Sequence, residues 1–182
     1  MPRQKKPVEE YCHSTVKISD FEASVTASIN WEIHDKRRRS PDTNLYEFDS
    51  HLHLYGDYIY PDERIGHTCS ITVSSRDPNN DLLNPTLDNF QVREDDGSRK
   101  YRKARGQLDP VYRIPKGMGL FGKTRGKNNW DGTIWVPQHI VAQMTVLLTS
   151  SRTLYIEMID IKAERKRRLT HLSLQTSNPI ED

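Results

Sequence analysis

The most specific motif in the chain is a phosphate-binding loop pattern in its second half. Residues 117–124 read GMGLFGKT, which satisfies G-x-x-x-x-G-K-[ST], the loop whose amides and lysine cradle nucleotide phosphates. That chemistry needs a helix directly after Thr124. The next residues, RGKNNWDG, contain two glycines, two asparagines and no apolar repeat, so they form a poor helix. We therefore interpret this segment as a basic loop without a nucleotide site.

A second group of chemically capable side chains lies between positions 49 and 57. Asp49, His51, His53 and Asp57 share one face of a predicted strand, as metal ligands can. The D-x-H-x-H run resembles the metal-binding first strand of the amidohydrolases. That family's barrel needs about 250 residues, and this chain has 182, so we reject membership. A small metal-dependent hydrolase using this face is the third functional hypothesis.

Two other constellations are less specific. Cys12-His13 and His67-Thr68-Cys69 could bind zinc if they met, although neither has the C-x-x-C spacing. We expect Cys69 to be a buried free thiol, because it lies in the inward register of a predicted strand. Asp160-Ile161-Lys162 matches half of a magnesium nuclease site, but one short match among 25 acidic residues has little specificity. We expect no cofactor.

Cations are concentrated in the second half of the chain. Residues 1–96 hold 11 Lys/Arg and 18 Asp/Glu, whereas residues 97–182 hold 16 and 7. The basic residues cluster at 37–39, 99–105, 123–127 and 165–168. Because cations neutralise phosphates and aromatic rings stack on bases, the candidate binding residues are Arg99, Lys100, Tyr101, Arg102, Lys103, Arg105, Phe121, Lys123, Arg125, Lys127 and Trp130. We expect the second and third clusters to share a surface.

The elements that must position these residues are mostly strands. Alternation from Glu22 to His34 predicts a long half-buried strand that faces inward with Ala23, Val25, Ala27, Ile29, Trp31 and Ile33. A second strand runs from about 45 to 60 with its even-numbered residues inward, and Gly56 marks a bulge or a close backbone approach. A third covers about 69–75, with Cys69, Ile71 and Val73 inward.

The rest of the chain gives shorter signals. Pro and Asn at 77–80 and 84–85 indicate a loop, 90–93 a short strand, and 94–109 a charged loop or an exposed hairpin. Apolar residues at helical spacing predict a helix at about 137–149, with Pro137 at its first position; they are Ile140, Val141, Met144, Leu147 and Leu148. Residues 154–161 and 169–175 read as strands.

These elements predict a single mainly-β domain over 1–182. We expect an antiparallel β-sandwich or an open barrel with one covering helix, and flexible tails at 1–10 and 176–182. No apolar run approaches the roughly 18 residues of a membrane span, the first residues lack the apolar core of a secretion signal, and two cysteines cannot form a disulfide scaffold. A cytoplasmic protein without membrane association is therefore expected.

The functional hypothesis is a non-enzymatic interaction module that binds a macromolecular partner through charged loops. We expect a protein partner first and nucleic acid second. The alternative is a nucleic-acid or polyanion-binding protein that uses the basic residues of 97–182. Glu94-Asp95-Asp96 directly precedes the cluster at 99–105, and neutralisation of that cluster within the fold favours a protein partner. The sequence does not determine the oligomeric state.

Overall fold

The computed structural model describes residues 10–37, 41, 45–75, 90–104, 106–112, 117–124, 128–150, 152–163 and 166–181. The predicted turn at 77–85 and the site candidates Arg105, Arg125 and Lys127 lie outside these residues. The strands are β1 (Glu10–Ile29), β2 (Tyr46–Tyr60), β3 (Thr68–Ser74), β4 (Tyr101–Ala104), β5 (Gln107–Pro110), β6 (Gly119–Lys123), β7 (Asn129–Trp135), β8 (Tyr155–Ala163) and β9 (Lys166–Gln175). An α-helix, α1, spans Gln138–Leu148.

Seven of these strands close into a barrel. Their order is β1-β2-β3-β7-β6-β9-β8, and β8 returns to pair with β1. The neighbouring pairs are antiparallel except β3–β7, which is parallel. β4 and β5 form a separate two-stranded sheet. The mainly-β class with one helix is confirmed for the described part of the chain, and the barrel is closed rather than open.

The middle of β2 supplies much of the barrel interior. Leu52 and Leu54 are fully buried, and Tyr58 nearly so, as the even-numbered register predicts. Gly56 lies where β1 comes too close for a side chain, because a Cβ there would be 2.2 Å from the Lys17 carbonyl oxygen. The register of β1 against β2 also shifts between Ile18 and Asp20, so the bulge or close approach expected at Gly56 is confirmed. The inward register predicted for β3 is confirmed too, with Cys69, Ile71 and Val73 buried.

The helix α1 covers one end of the barrel. It buries Val141, Met144 and Leu148 in the same apolar cluster as the strands, at the spacing of one helical face. This confirms the predicted helix, although Pro137 stands just before its first residue rather than at it. No helix among the described residues is both long enough and apolar enough to cross a membrane.

The prediction for the first long strand is partly wrong. β1 begins at Glu10 and ends at Ile29. Residues Trp31–His34 instead form a 3-10 turn, because the Asn30 side chain caps it by accepting from the Glu32 N–H at 2.9 Å.

The apolar face at the end of β1 is also not inward. Val25 is 78% exposed, and Phe48 and Tyr46 on the facing strand are each 61% exposed. β8 pairs only with Glu10–Lys17 of β1, and β3 pairs only with His51–Asp57 of β2. Ser50 exchanges hydrogen bonds with Ser75 just beyond β3, and past that point the remaining ends pair only with each other among the described strands and extend past the barrel. We call this two-stranded extension, Ser24–Ile29 with Tyr46–Ser50, the β1–β2 ribbon.

Between the barrel strands, the described part of 90–112 forms small hairpins. The short strand expected at 90–93 is reduced to isolated bridges, Gln91 to Tyr112 and Arg93 to Arg99. The hairpin alternative for 94–109 is confirmed by β4 and β5. The strands expected near 154–161 and 169–175 are β8, which is shifted by one to two residues, and β9, which begins three residues earlier than predicted.

Candidate functional site

The segment that matches a phosphate-binding loop is a barrel strand. Residues Gly119–Lys123 form β6, so the loop predicted here is wrong, and the next described segment, from Asn129, is β7 rather than a helix. Two glycines of this segment serve strand packing: a Cβ at Gly119 would lie 2.3 Å from the Thr133 carbonyl oxygen, and one at Gly117 would lie 2.6 Å from the Leu169 carbonyl oxygen. A residue without a side chain is needed there so that the backbones can approach. The pattern therefore lacks the geometry that would cradle a phosphate.

β6 instead forms one wall of an open groove at the weakest joint of the barrel. β6 meets β9 at a single registered pair, Phe121 with Arg167, supported by the Met118 N–H, which donates to the Leu169 carbonyl at 2.8 Å. Beside this joint lies a groove of about 680 Å³. Four cations from three strands line it, and we call it the cationic groove: Lys123, Lys162, Lys166 and Arg167.

The cationic groove keeps a positive charge after its internal ion pairs are formed. Glu10 lies 3.6 Å from both the Lys162 ammonium and the Arg167 guanidinium. Lys123 and Lys166 make no ion pair within the described part of the chain. Two ammonium groups in the groove are thus available to an external anion.

Asp131, the acidic residue lining the groove, is occupied by local hydrogen bonds. Its carboxylate accepts from the Asn129 side-chain amide at 2.6 Å and from the Thr124 hydroxyl. Both donors are uncharged, so the Asp131 carboxylate still offsets part of the positive charge of the four groove cations.

Arg167 is held in place by a buried charge network behind the groove. Asp160, 1% exposed, accepts from Arg167 through one oxygen and from Arg64 Nη2 through the other, at 3.0 Å. Arg64 is itself 5% exposed and donates through Nη1 to the Ser14 hydroxyl at 2.7 Å. Burial lowers the pKa of Arg64, but the combined interactions with Asp160, Tyr58 and Cys12 outweigh burial and raise the pKa above the ordinary value. Arg64 therefore stays charged and anchors Asp160, which orients Arg167.

Aromatic rings enclose the Arg64 guanidinium. Its Cζ lies 4.1 Å from the centroid of the Trp130 ring and 5.6 Å from that of Phe121, within the range of cation–π attraction. The two rings stack on each other at 5.4 Å. Trp130 also donates through Nε1 to His67 Nδ1 at 3.2 Å. Both rings line the cationic groove, but they are packed strand residues rather than the free loop anchors that the sequence indicated.

The hairpin cluster lies apart from the barrel sheet. Lys100 pairs with Glu94 at 3.2 Å, the neutralisation that the sequence indicated for this cluster. Arg102 and Lys103 are exposed on β4, and Tyr101 is 48% exposed. β4 and β5 pair only with each other among the described strands. The structure thus joins Lys123 to the β8–β9 cations, whereas the hairpin presents a second basic surface.

The candidate metal ligands are spread along the outside of β2. Asp49 and Asp57 are eight positions apart on one strand, or about 27 Å at 3.4 Å per residue, so they cannot share an ion. His53 Nδ1 is bound to the Thr72 hydroxyl at 3.0 Å, and His51 borders α1. No three His, Cys, Asp or Glu side chains within the described ranges converge on a metal position.

The remaining constellations have structural partners. Cys69 is a buried free thiol, as predicted, and burial raises its pKa to about 12. Cys12 is a free thiol on β1, and His13 bonds to Glu157 at 2.6 Å. Asp160 of the D-x-K match is occupied by two arginines.

Sequence reasoning recognised the cluster at 165–168 but did not include it among the binding residues. These cations lie in the turn between the two strands predicted at 154–161 and 169–175, so the sequence placed them at a hairpin end. The sequence pattern did not predict that this hairpin pairs with β6. Comparisons with protein-family models, curated proteins and solved structures found no match for this chain. The geometry and charge of the cationic groove are therefore the basis for a functional proposal.

Proposed function

We propose that this protein is a non-enzymatic module that binds nucleic acid through its phosphate backbone in the cationic groove. The observation that carries the proposal is the convergence of Lys123, Lys162, Lys166 and Arg167 from three strands on one groove. Clustered lysines and arginines attract phosphates and release their counterions, which drives binding without reading the base sequence.

The arrangement of charges fits a backbone better than a compact anion. The groove is open to solvent and has a volume of about 680 Å³, so a segment of an extended chain can lie in it. Lys123 and Lys166 supply mobile ammonium groups from opposite sides of the β6–β9 joint. Arg167 is fixed by Asp160 through Nη1 and faces Glu10 at 3.6 Å through Nη2, so it adds a positioned positive charge to the groove rather than a free bidentate fork.

Charge reversal within the groove tests the proposal. A fluorescein-labelled single-stranded oligonucleotide is titrated with protein at about 50 mM salt, where phosphate contacts are strongest, and binding is followed by fluorescence anisotropy. The double variant Lys123→Glu/Lys166→Glu should weaken binding by at least about tenfold, a change of about 1.4 kcal/mol. Two substrates of unrelated base sequence should lose affinity equally, because phosphate contacts carry no sequence information.

A matched control separates the groove from net charge. Lys36 and Arg37 are exposed on a turn after the 3-10 segment and are not among the residues that line the groove. The double variant Lys36→Glu/Arg37→Glu changes the net charge by as much as the double groove variant, and it should alter affinity less than twofold. Absence of binding by the wild-type protein at low salt would overturn the proposal, and so would an equal loss in the control.

A protein partner at the β4–β5 hairpin is the second candidate function. It is favoured by the Glu94–Lys100 pair, which reduces the charge of the hairpin, and by the half-exposed Tyr101 ring, a residue type enriched in protein interfaces. The double variant Arg102→Glu/Lys103→Glu distinguishes the two. It should leave oligonucleotide affinity within about threefold if the groove binds the backbone; a loss equal to that of the groove variant would transfer the site to the hairpin.

A further inference from the structure

On the side of β1 that faces away from β2, the β1–β2 ribbon has a strand edge that no described strand occupies. β8 pairs with β1 only as far as Lys17, and no described strand continues that pairing along Ala23–Ile29. Two-stranded ribbons with nothing beside them are marginally stable in water. An unprotected strand edge is also a template for another strand. α1 borders the side chains of Ala23, Ser24 and Val25 but adds no strand to this edge, so a further strand would stabilise the ribbon.

The backbone groups on this edge belong to the apolar residues. The Asn30 N–H donates to the Leu45 carbonyl at 3.0 Å, so the even-numbered positions in this part of β1 point their N–H and C=O groups toward β2. Because these groups alternate along an antiparallel strand, Ala23, Val25, Ala27 and Ile29 direct theirs to the free edge. The positions open to a new strand are therefore those whose side chains form the exposed apolar face.

The lack of charged side chains on this edge favours a second copy of the same edge as the neighbouring strand. Natural edge strands avoid pairing by carrying charged side chains or proline, yet Ala23–Ile29 reads ASVTASI and contains neither. In a two-fold antiparallel pairing centred on Val25, Ala23 faces Ala27 and Ser24 faces Thr26 of the second copy. The self-paired stretch is Ala23–Ala27, and beyond it Ser28 and Ile29 face Glu22 and Phe21 of the second copy, so no like charges are brought together. The edge is therefore complementary to itself.

We propose that this face is a homodimer interface, in which the free edges of β1 from two copies pair antiparallel about a two-fold axis at Val25. The result is a four-stranded sheet, and the apolar faces of the two ribbons become continuous across it. Tyr46 and Phe48, each 61% exposed, lie on that joined face. An isologous contact of this kind closes at two copies. It uses none of the groove cations and does not depend on the proposed function.

The oligomeric state of the full chain tests this inference. Light scattering after size exclusion, from about 1 to 100 μM protein, should show a dimer that Val25→Lys converts to a monomer. Leu108→Lys is the matched control, because Leu108 is 71% exposed on β5 of the separate β4–β5 sheet, and it should remain dimeric. Both variants are surface changes, and circular dichroism should confirm that each is folded.

A backbone variant provides a second readout. Ala27→Pro removes an N–H that points away from β2 and should abolish the dimer. Amide hydrogen exchange at Ala23, Val25 and Ala27 should slow as wild-type protein concentration rises, since these amides become hydrogen bonded only in the dimer. A monomer at every concentration would overturn the proposal. A dimer that persists in both Val25→Lys and Ala27→Pro would also overturn it.

Discussion

Arg64 and Asp160 are 96 positions apart in the chain, yet Arg64 Nη2 lies 3.0 Å from Asp160 Oδ2 inside the barrel. The pair joins the turn after β2 to β8. Asp160 also holds Arg167 on β9, so one buried carboxylate connects three parts of the fold and sets the position of a groove cation. A buried charge without its partner is costly, which makes this network sensitive to single changes.

Asp160→Asn should lower the free energy of unfolding by about 3–5 kcal/mol, because it leaves the Arg64 guanidinium buried without its counter-charge. Urea denaturation followed by circular dichroism measures this. The control is Glu94→Gln, which breaks the exposed pair with Lys100 and should cost about 0–1 kcal/mol. Similar losses in the two variants would show that the Arg64–Asp160 pair is solvated rather than buried.

Removal of the Tyr58 hydroxyl should be tolerated at neutral pH. The oxygen is buried beside the Cys69 thiol and the Arg64 guanidinium, but among the described residues it makes no hydrogen bond of normal length and angle. Tyr58→Phe eliminates an unsatisfied polar atom, so the free energy of unfolding should change by less than about 1 kcal/mol or rise. A loss of more than about 2 kcal/mol in thermal or urea unfolding would mean that the hydroxyl is bonded.

The barrel should lose stability in alkali. Burial raises the pKa of Tyr58 above its ordinary value and that of Cys69 to about 12, so the folded state holds these protons more tightly than the unfolded state does. The stabilisation is complete below the ordinary Cys and Tyr pKa values, 9.0 and 10.0, and declines as pH rises through them. Urea unfolding from pH 8 to 12 should show this decline. Tyr58→Phe should lessen the part above the ordinary tyrosine value, and an identical profile in that variant would contradict the assignment.

Two glycines of the phosphate-loop pattern should respond differently to alanine. Gly119→Ala places a Cβ against the Thr133 carbonyl and should cost about 1–3 kcal/mol or more, as overpacking does. Gly122 has no atom within 4 Å of a Cβ position, so Gly122→Ala should cost less than about 1 kcal/mol. Thermal unfolding of the two variants measures the difference. Equal tolerance would mean that β6 and β7 are not packed as described.

The interior of β2 shows what alternation can predict and where it stops. The pattern identified Leu52, Leu54 and Tyr58 correctly, because in the middle of a barrel strand one face always meets the core. The same alternation continues through Phe48, which is exposed. Whether neighbouring strands extend as far as a given residue depends on long-range pairing, which local periodicity does not encode.

The sequence predicted basic residues of the candidate site but not their arrangement. The basic clusters were visible, but the contact of β6 with β9 depends on closing the barrel between segments about 45 positions apart, a pairing outside any local window. β6 itself was hidden because its glycines resemble a loop signal, although Gly119 serves close backbone packing. Arg64 was missed since a charged residue in a turn is normally exposed, and its partner lies 96 positions away.

Substitution of two residues from the same face of β2 tests this distinction. Leu54→Ala should cost about 2–5 kcal/mol, because it leaves a cavity in the core. Phe48→Ala, measured by urea unfolding in dilute protein, should cost less than about 1 kcal/mol, since its ring is 61% exposed and exposed substitutions have small effects. Comparable costs would mean that the ribbon face is covered within the monomer.

The salt dependence of oligonucleotide binding tests the central claim most directly. If two to four groove cations neutralise phosphates of a single strand, the plot of log K against log salt should have a slope between about −1.4 and −2.8. Affinity should then fall by about 7- to 50-fold between 50 and 200 mM salt. The Lys123→Glu/Lys166→Glu variant should lose both affinity and slope. Wild-type protein that binds with no salt dependence, or fails to bind at about 50 mM salt, would contradict the assignment of the cationic groove to a nucleic-acid backbone.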